Sequence, residues 1–300
     1  MALPKISTGL LILAVCLAAS AFAPGQAAKG KSKAPASPAQ LVAIEERGTN
    51  LYLYERALLV SMEALKQSQI KAGLANVSDE ENFSILVQLN PKGFKTAFGR
   101  LGGEKHCYFI DFLVEGEWQD TQPKTASTGK VVFLSPPQED QSTFLAMARA
   151  LNLVKEEKEA LLPYKGHHYA VLPGQSAGSF YVYFYPRPED KGTYFLGHDL
   201  RVKVEADEVK ERRVMHRTIL SFPNKADKQR ERLEPVMGVH SAVVDELPED
   251  TDVMHVLLRK PATKEMVITK TYLYEIEKSG RIKYRGPIKS FLKGSKVKAN

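Results

Sequence analysis

The most constraining stretch of this chain is residues 179–185, Ser-Phe-Tyr-Val-Tyr-Phe-Tyr. Phe180, Val182 and Phe184 fall on one side of an extended strand, and Tyr181, Tyr183 and Tyr185 on the other. A strand apolar on both sides is covered on both faces, so it reads as the centre of a sheet inside a fold with more than one layer. Pro186 and Pro188 end it. Around it the strand signal continues. Leu200, Val202 and Val204 alternate with Arg201, Lys203 and Glu205, and Ala206-Asp207-Glu208 turns the chain into a strand running to about Leu220. From 169 to 284 the whole segment reads as antiparallel strands, with further members at 239–244, 253–258, 265–276 and 281–284. Ser279-Gly280 turns between the last two.

Upstream, Tyr54, Leu58, Met62 and Leu65 share one face of a helix over 50–72. Residues 83–89 read as a strand. A hairpin follows, with Phe94, Thr96 and Phe98 on its first arm, Gly102-Gly103 at its turn and 106–114 returning. Residues 130–134 give one more strand. A second helix starts at Asp140 or Ser142 and carries Phe144, Leu145, Ala148, Leu151 and Leu153. The fold class is α+β: a β-rich antiparallel sheet or sandwich with a few helices on one side.

The N-terminus carries an address. Lys5 is followed by an apolar run over 10–22, broken only by Ser20 and shorter than the roughly 20 residues that span a bilayer. Pro24 obstructs cleavage after Ala23, so a signal peptide is expected over 1–27, cut after Ala27. A flexible linker is expected over 28–40, a body over 41–288 with a split near 160 compatible with its length, and a basic tail over 289–300. No later stretch is apolar enough to cross a membrane. The expected location is the periplasm or the outside of the cell.

The net charge of +7 belongs to the ends. Lys5, Lys29, Lys31, Lys33, Lys289, Lys293, Lys296 and Lys298 all lie in the leader, linker or tail. Taking these eight from 42 basic residues leaves 34 against 35 acidic ones. A near-neutral body with no basic, aromatic-interleaved patch argues against a nucleic-acid partner. Cys107, the one cysteine after the leader, reads as a buried core thiol.

Site motifs are sparse. Gly174-Gln175-Ser176-Ala177-Gly178 has the spacing of a nucleophile elbow, but strands flank it where a strand and a helix are needed, so it reads as a loop. Glu246, Glu249, Asp250 and Asp252 read as a solvated acidic loop. No H-E-x-x-H spacing occurs. In a hairpin turning at about Asp207, positions 198 and 216 come opposite each other, and His240 and His255 lie on later strands that can neighbour them. Two or three of these histidines with Asp199 would suit zinc. The default reading is hydrogen-bonded structural histidines, with no cofactor.

The segments Ala170-Val171-Leu172-Pro173, Tyr181-Val182-Tyr183-Phe184-Tyr185-Pro186, Leu196-Gly197-His198-Asp199-Leu200-Arg201, Arg213-Val214-Met215-His216-Arg217 and Thr251-Asp252-Val253-Met254-His255-Val256 together resemble a family of uncharacterised exported proteins of Gram-negative bacteria, over roughly residues 90 to 285. That resemblance implies export but no activity. His198 departs from its pattern, which often has glycine there. His216, His255, Arg201 and Asp252 fit it. The candidate site is therefore Asp199, Arg201, His216, Asp252 and His255. The leading expectation is a non-enzymatic periplasmic or cell-envelope protein that binds a protein or envelope component. The alternatives are a hydrolase, metal-dependent in one form, using Asp199, His216, Asp252 and His255, and a periplasmic immunity or inhibitor protein.

Overall fold

A computed structural model describes residues 34–67, 83–102, 107–118, 130–132, 138–157, 167–187, 189–190, 193–223, 237–242, 244–259 and 262–294. The expected signal peptide lies outside them, as do residues 28–33 of the expected linker. The fold is α+β and rich in strand. No helix among the described residues is long and apolar enough to cross a membrane.

Helix α1 (Pro38–Gln67) begins twelve residues before the periodicity predicts, inside the expected linker. The cause is local. The Ser37 hydroxyl accepts from the Gln40 backbone N–H, and the Ser37 N–H donates to the Gln40 carboxamide. This is a capping box, with Pro38 preset for the first helical turn.

The first sheet is antiparallel, in the order β1 (Phe83–Asn90), β2 (Gly93–Gly102), β3 (Cys107–Glu117) and β4 (Lys130–Val132). Cys107, at the start of β3, is half-buried and not a core thiol. Helix α2 (Gln138–Glu156) follows where its apolar spacing places it.

The second sheet contains β5 (His168–Pro173), β6 (Ser179–Tyr185), β7 (Glu189–Asp190), β8 (Thr193–Glu205) and β9 (Glu208–Pro223). The turn at Ala206 and Asp207 has φ of 52° and 56° at its two centres, the geometry of a tight two-residue hairpin. Strand β6 is central, with β5 on one side and β8 on the other. Val182 and Phe184 pack with Phe144, Met147 and Leu151 of α2, together with residues of the first sheet. Tyr181, Tyr183 and Tyr185 pack with Leu51, Tyr54 and Ala57 of α1. The helices therefore cover both faces of this sheet, not one side. Residues on both sides of position 160 share the α2 core.

The last sheet and the helix beside it correct three expectations. It runs β10 (Met237–Ser241), β11 (Lys264–Ile268), β12 (Tyr272–Ile276) and β13 (Ile282–Pro287), and β10 pairs with β11 in parallel. The expected single strand over 265–276 is two strands joined by a turn, where Glu246 accepts from the Thr269 and Thr271 hydroxyls. The expected strand over 253–258 is instead helix α3 (Asp250–Leu258). Val253 and Val256 are buried with Leu41 and Ile44 of α1 and the last sheet, and Met254 with α1 and the central sheet, so apolar residues on more than one face hide the helical period. A capping box starts it: the Asp252 carboxylate accepts from the Glu249 backbone N–H, and the Glu249 carboxylate accepts from the N–H of Asp252. At Gly48 a side-chain carbon would meet the Asp250 carbonyl oxygen and the Val253 side chain at 2.5 Å, so the glycine lets α3 rest directly on α1. Helix α4 (Ile288–Gly294) ends the described chain and occupies the start of the expected tail.

Candidate metal centre

The strand β8 leads the chain into the site. Its pairing with β9 slips on both sides of Asp199, and His198 between Gly197 and Asp199 has φ of 55°. This irregularity sets Asp199 directly opposite His216. The Asp199 carboxylate is fully buried and accepts from the His216 backbone N–H at 2.8 Å and from His216 Nδ1 at 2.8 Å. Its other oxygen accepts from the Thr251 hydroxyl of α3. His198 points elsewhere, to His167.

A second histidine is held in the same way. His240, on β10, places Nδ1 2.9 Å from the Glu265 carboxylate of β11. Glu265 in turn accepts from Arg259 at 2.6 Å. Gly238 makes this possible, because any side chain there would collide with the Glu265 carboxylate and the Arg259 guanidinium.

Both imidazoles therefore have Nδ1 committed to a carboxylate. A carboxylate only accepts, so Nδ1 carries the hydrogen and Nε2 of a neutral ring presents a lone pair. Each Nε2 lies 3.1 Å from Oδ1 of Asp252. None of the three atoms has a hydrogen-bond partner, and all three are shut off from solvent. The three lie within 4.8 Å of one another. Three electron pairs thus converge in a buried space, which is repulsive unless a cation stands among them. A divalent ion at about 2.0–2.1 Å from each donor would hold neighbouring donors about 2.9 Å apart at right angles, or about 3.4 Å at the tetrahedral angle. The two histidine-to-aspartate separations, 3.1 Å each, fall between those values.

In the metal-free chain, protons must supply the cation. Burial pulls the His240 imidazole down, but the Asp252 and Glu265 carboxylates outweigh it and raise it to about 9. Burial also opposes charge on His216, yet Asp199 and Asp252 hold it well above its ordinary value. Asp252 is pushed up by burial and held well below the carboxylate range by His240 and His216. His255, one turn along α3 from Asp252, is buried deeply enough to be lowered to about 3, so it is neutral. It lies within electrostatic reach of Asp199, Asp252 and His216.

Of the residues expected from the sequence, Asp199, His216 and Asp252 come together, with His255 beside them. Arg201 has its partners elsewhere. It binds Asp250 at 2.7 Å, which also receives Arg47 at 2.9 Å and the Tyr183 hydroxyl at 2.9 Å. Together these pin the first turn of α3. The expected solvated acidic loop is thus a buried helix start: Glu249 binds Arg213, Asp250 the two arginines, and Asp252 faces the histidines. Gly174–Gly178 is a loop between strands, as expected, and Ser176 there bonds to Glu205. Glu265, Thr251 and Arg259 have no sequence signal of their own. His240 and Glu265 come together only through a parallel pairing of distant strands.

Set against protein-family models, curated proteins and solved structures, the chain finds no match. Its fold and its buried cluster of two histidines and one aspartate define it as an α+β protein with a candidate metal centre.

Proposed function

We propose that this is an exported metal-binding protein of the periplasm or cell envelope, which holds one divalent transition-metal ion, zinc above all, on His216 Nε2, His240 Nε2 and Asp252 Oδ1. The observation that carries the reading is the convergence of those three atoms, with the far nitrogen of each imidazole fixed by its own carboxylate. Metal-ligating histidines characteristically have such partners, which set the tautomer and raise the basicity of the ligand. Two nitrogens and one oxygen suit zinc or iron(II). The burial of all three donors supports binding and not turnover.

Metal analysis of the full-length protein purified without chelator tests the reading. One equivalent of metal is expected, and His216→Ala and His240→Ala should lose it. A folded protein that neither carries metal nor takes up zinc would overturn it.

One observation favours a second reading, that of a metal-dependent hydrolase. The ion would have three protein ligands, the number found in catalytic zinc sites, against four in structural ones. Ester or peptide hydrolysis that follows zinc content and disappears in His216→Ala would establish it.

A further inference from the structure

The donors of the proposed site are sealed, so an ion reaches them only if some element moves. The candidates are unequal. Helix α3 is buried along seven of its nine residues and pinned at its start by Arg47, Arg201 and Arg213. Strand β9 is sixteen residues long and paired with β8 along most of its length. Strand β10 has five residues. Met237 and Val239 are 38% and 40% exposed, Ser241 is exposed, Gly238 has no side chain, and His240 alone is buried. Its one strand partner among the described residues is β11, by a parallel ladder, the weaker kind. Among the described residues, the buried apolar residue next to it in sequence is Ala242, just past its end. By contrast, all five residues of β12 are buried.

Among the described residues, little fully buried apolar surface therefore holds β10 to the body. Its one buried side chain among the described residues is His240, which reaches α3 through Asp252 and β11 through Glu265. We propose that β10 is a metal-fastened strap over the site: the bound ion clamps His240 to Asp252 and His216, and without the ion β10 peels from β11 at least tenfold more often and opens the donors to solvent. This deepens the metal-binding reading and rests on it. Metal entry and release would pass through β10, and the ion would govern whether the edge of β11 is covered.

Hydrogen exchange followed by mass spectrometry on the full chain tests this, with the chelator-stripped protein compared against the same protein given zinc(II), and zinc uptake measured in parallel by equilibrium dialysis. Amides of 237–242 should exchange at least tenfold faster without zinc, while those of 272–276 should keep one rate. His240→Gln should leave 237–242 fast in both conditions. Zinc bound with no change at 237–242 would overturn the strap and leave the metal site standing. An equal change at 272–276 would also overturn it, because the effect would then be global. Absence of zinc uptake in the dialysis would overturn both.

Discussion

At the scale of single residues, the second carboxylates decide what the histidines can do. Asp199 and Glu265 touch the imidazoles at Nδ1, the side away from the proposed ion. Removing their charge frees the tautomer and lowers ligand basicity without deleting a donor. Asp199→Asn and Glu265→Gln should each weaken zinc binding about 10- to 100-fold, measured by competition with a chromophoric chelator. Gly238→Ala should act like Glu265→Gln, because the added carbon displaces the Glu265 carboxylate from its place over the β10 backbone. A Gly238→Ala protein with unchanged zinc affinity would show that Glu265 does not position His240.

At the scale of elements, α3 is the piece that joins the site to the body. Its first turn sends Asp250 to two arginines, Thr251 to Asp199 and Asp252 to two histidines. Asp250→Ala would leave Arg47 and Arg201 close together and partly buried without their shared counter-ion. A cost of about 3–5 kcal/mol follows, readable in urea denaturation of the metal-free chain. This helix is also where the sequence is least legible. The apolar run over 253–258 is too short and too nearly continuous to declare a period, and the capping box before it uses Glu249 and Asp252, which read as loop acids. The central sheet is legible, because Phe180 to Tyr185 displays both faces and Ala206-Asp207 displays its turn. Asp199 opposite His216 follows from that hairpin, within one residue. The partnership of His240 with Glu265 is not legible, since a parallel pairing between strands about 25 residues apart leaves no local pattern.

At the scale of the whole molecule, the buried cluster links stability to pH and metal. In the metal-free chain, His240 titrates at about 9 when folded and at about 6.5 when unfolded. A base whose folded value is raised contributes stability that is full below about pH 6.5 and lost as pH climbs through about 9. The metal-free melting temperature should therefore fall across that window. With excess zinc the ion replaces the protons, binding strengthens as pH rises, and the slope should reverse. Calorimetric scans at several pH values, with and without zinc, would show it. Parallel slopes would mean that zinc does not compete for these nitrogens.

Helix α1 has a consequence for how the chain is made. It is 30 residues long, about 45 Å end to end, and it touches all three sheets. Leu41 and Ile44 lie against the last sheet, Leu51 and Tyr54 against the central one, and Leu65 against Phe98 and Val114 of the first. Near its start, the Ala36 N–H donates to the Tyr274 hydroxyl, and Glu45 accepts from the N–H of Ile282, contacts that span 238 and 237 positions. A ribosome therefore delivers the opening turns of α1 long before it delivers their partners. For almost the whole of synthesis Leu41 and Ile44 have nothing to rest on, and the native structure closes only when its final hairpin arrives. Such a chain stays unfinished while it is being made, which leaves its front end available to whatever machinery handles extended polypeptide. Cutting synthesis short before Tyr272 should yield a product that proteases remove from the front as well as the back.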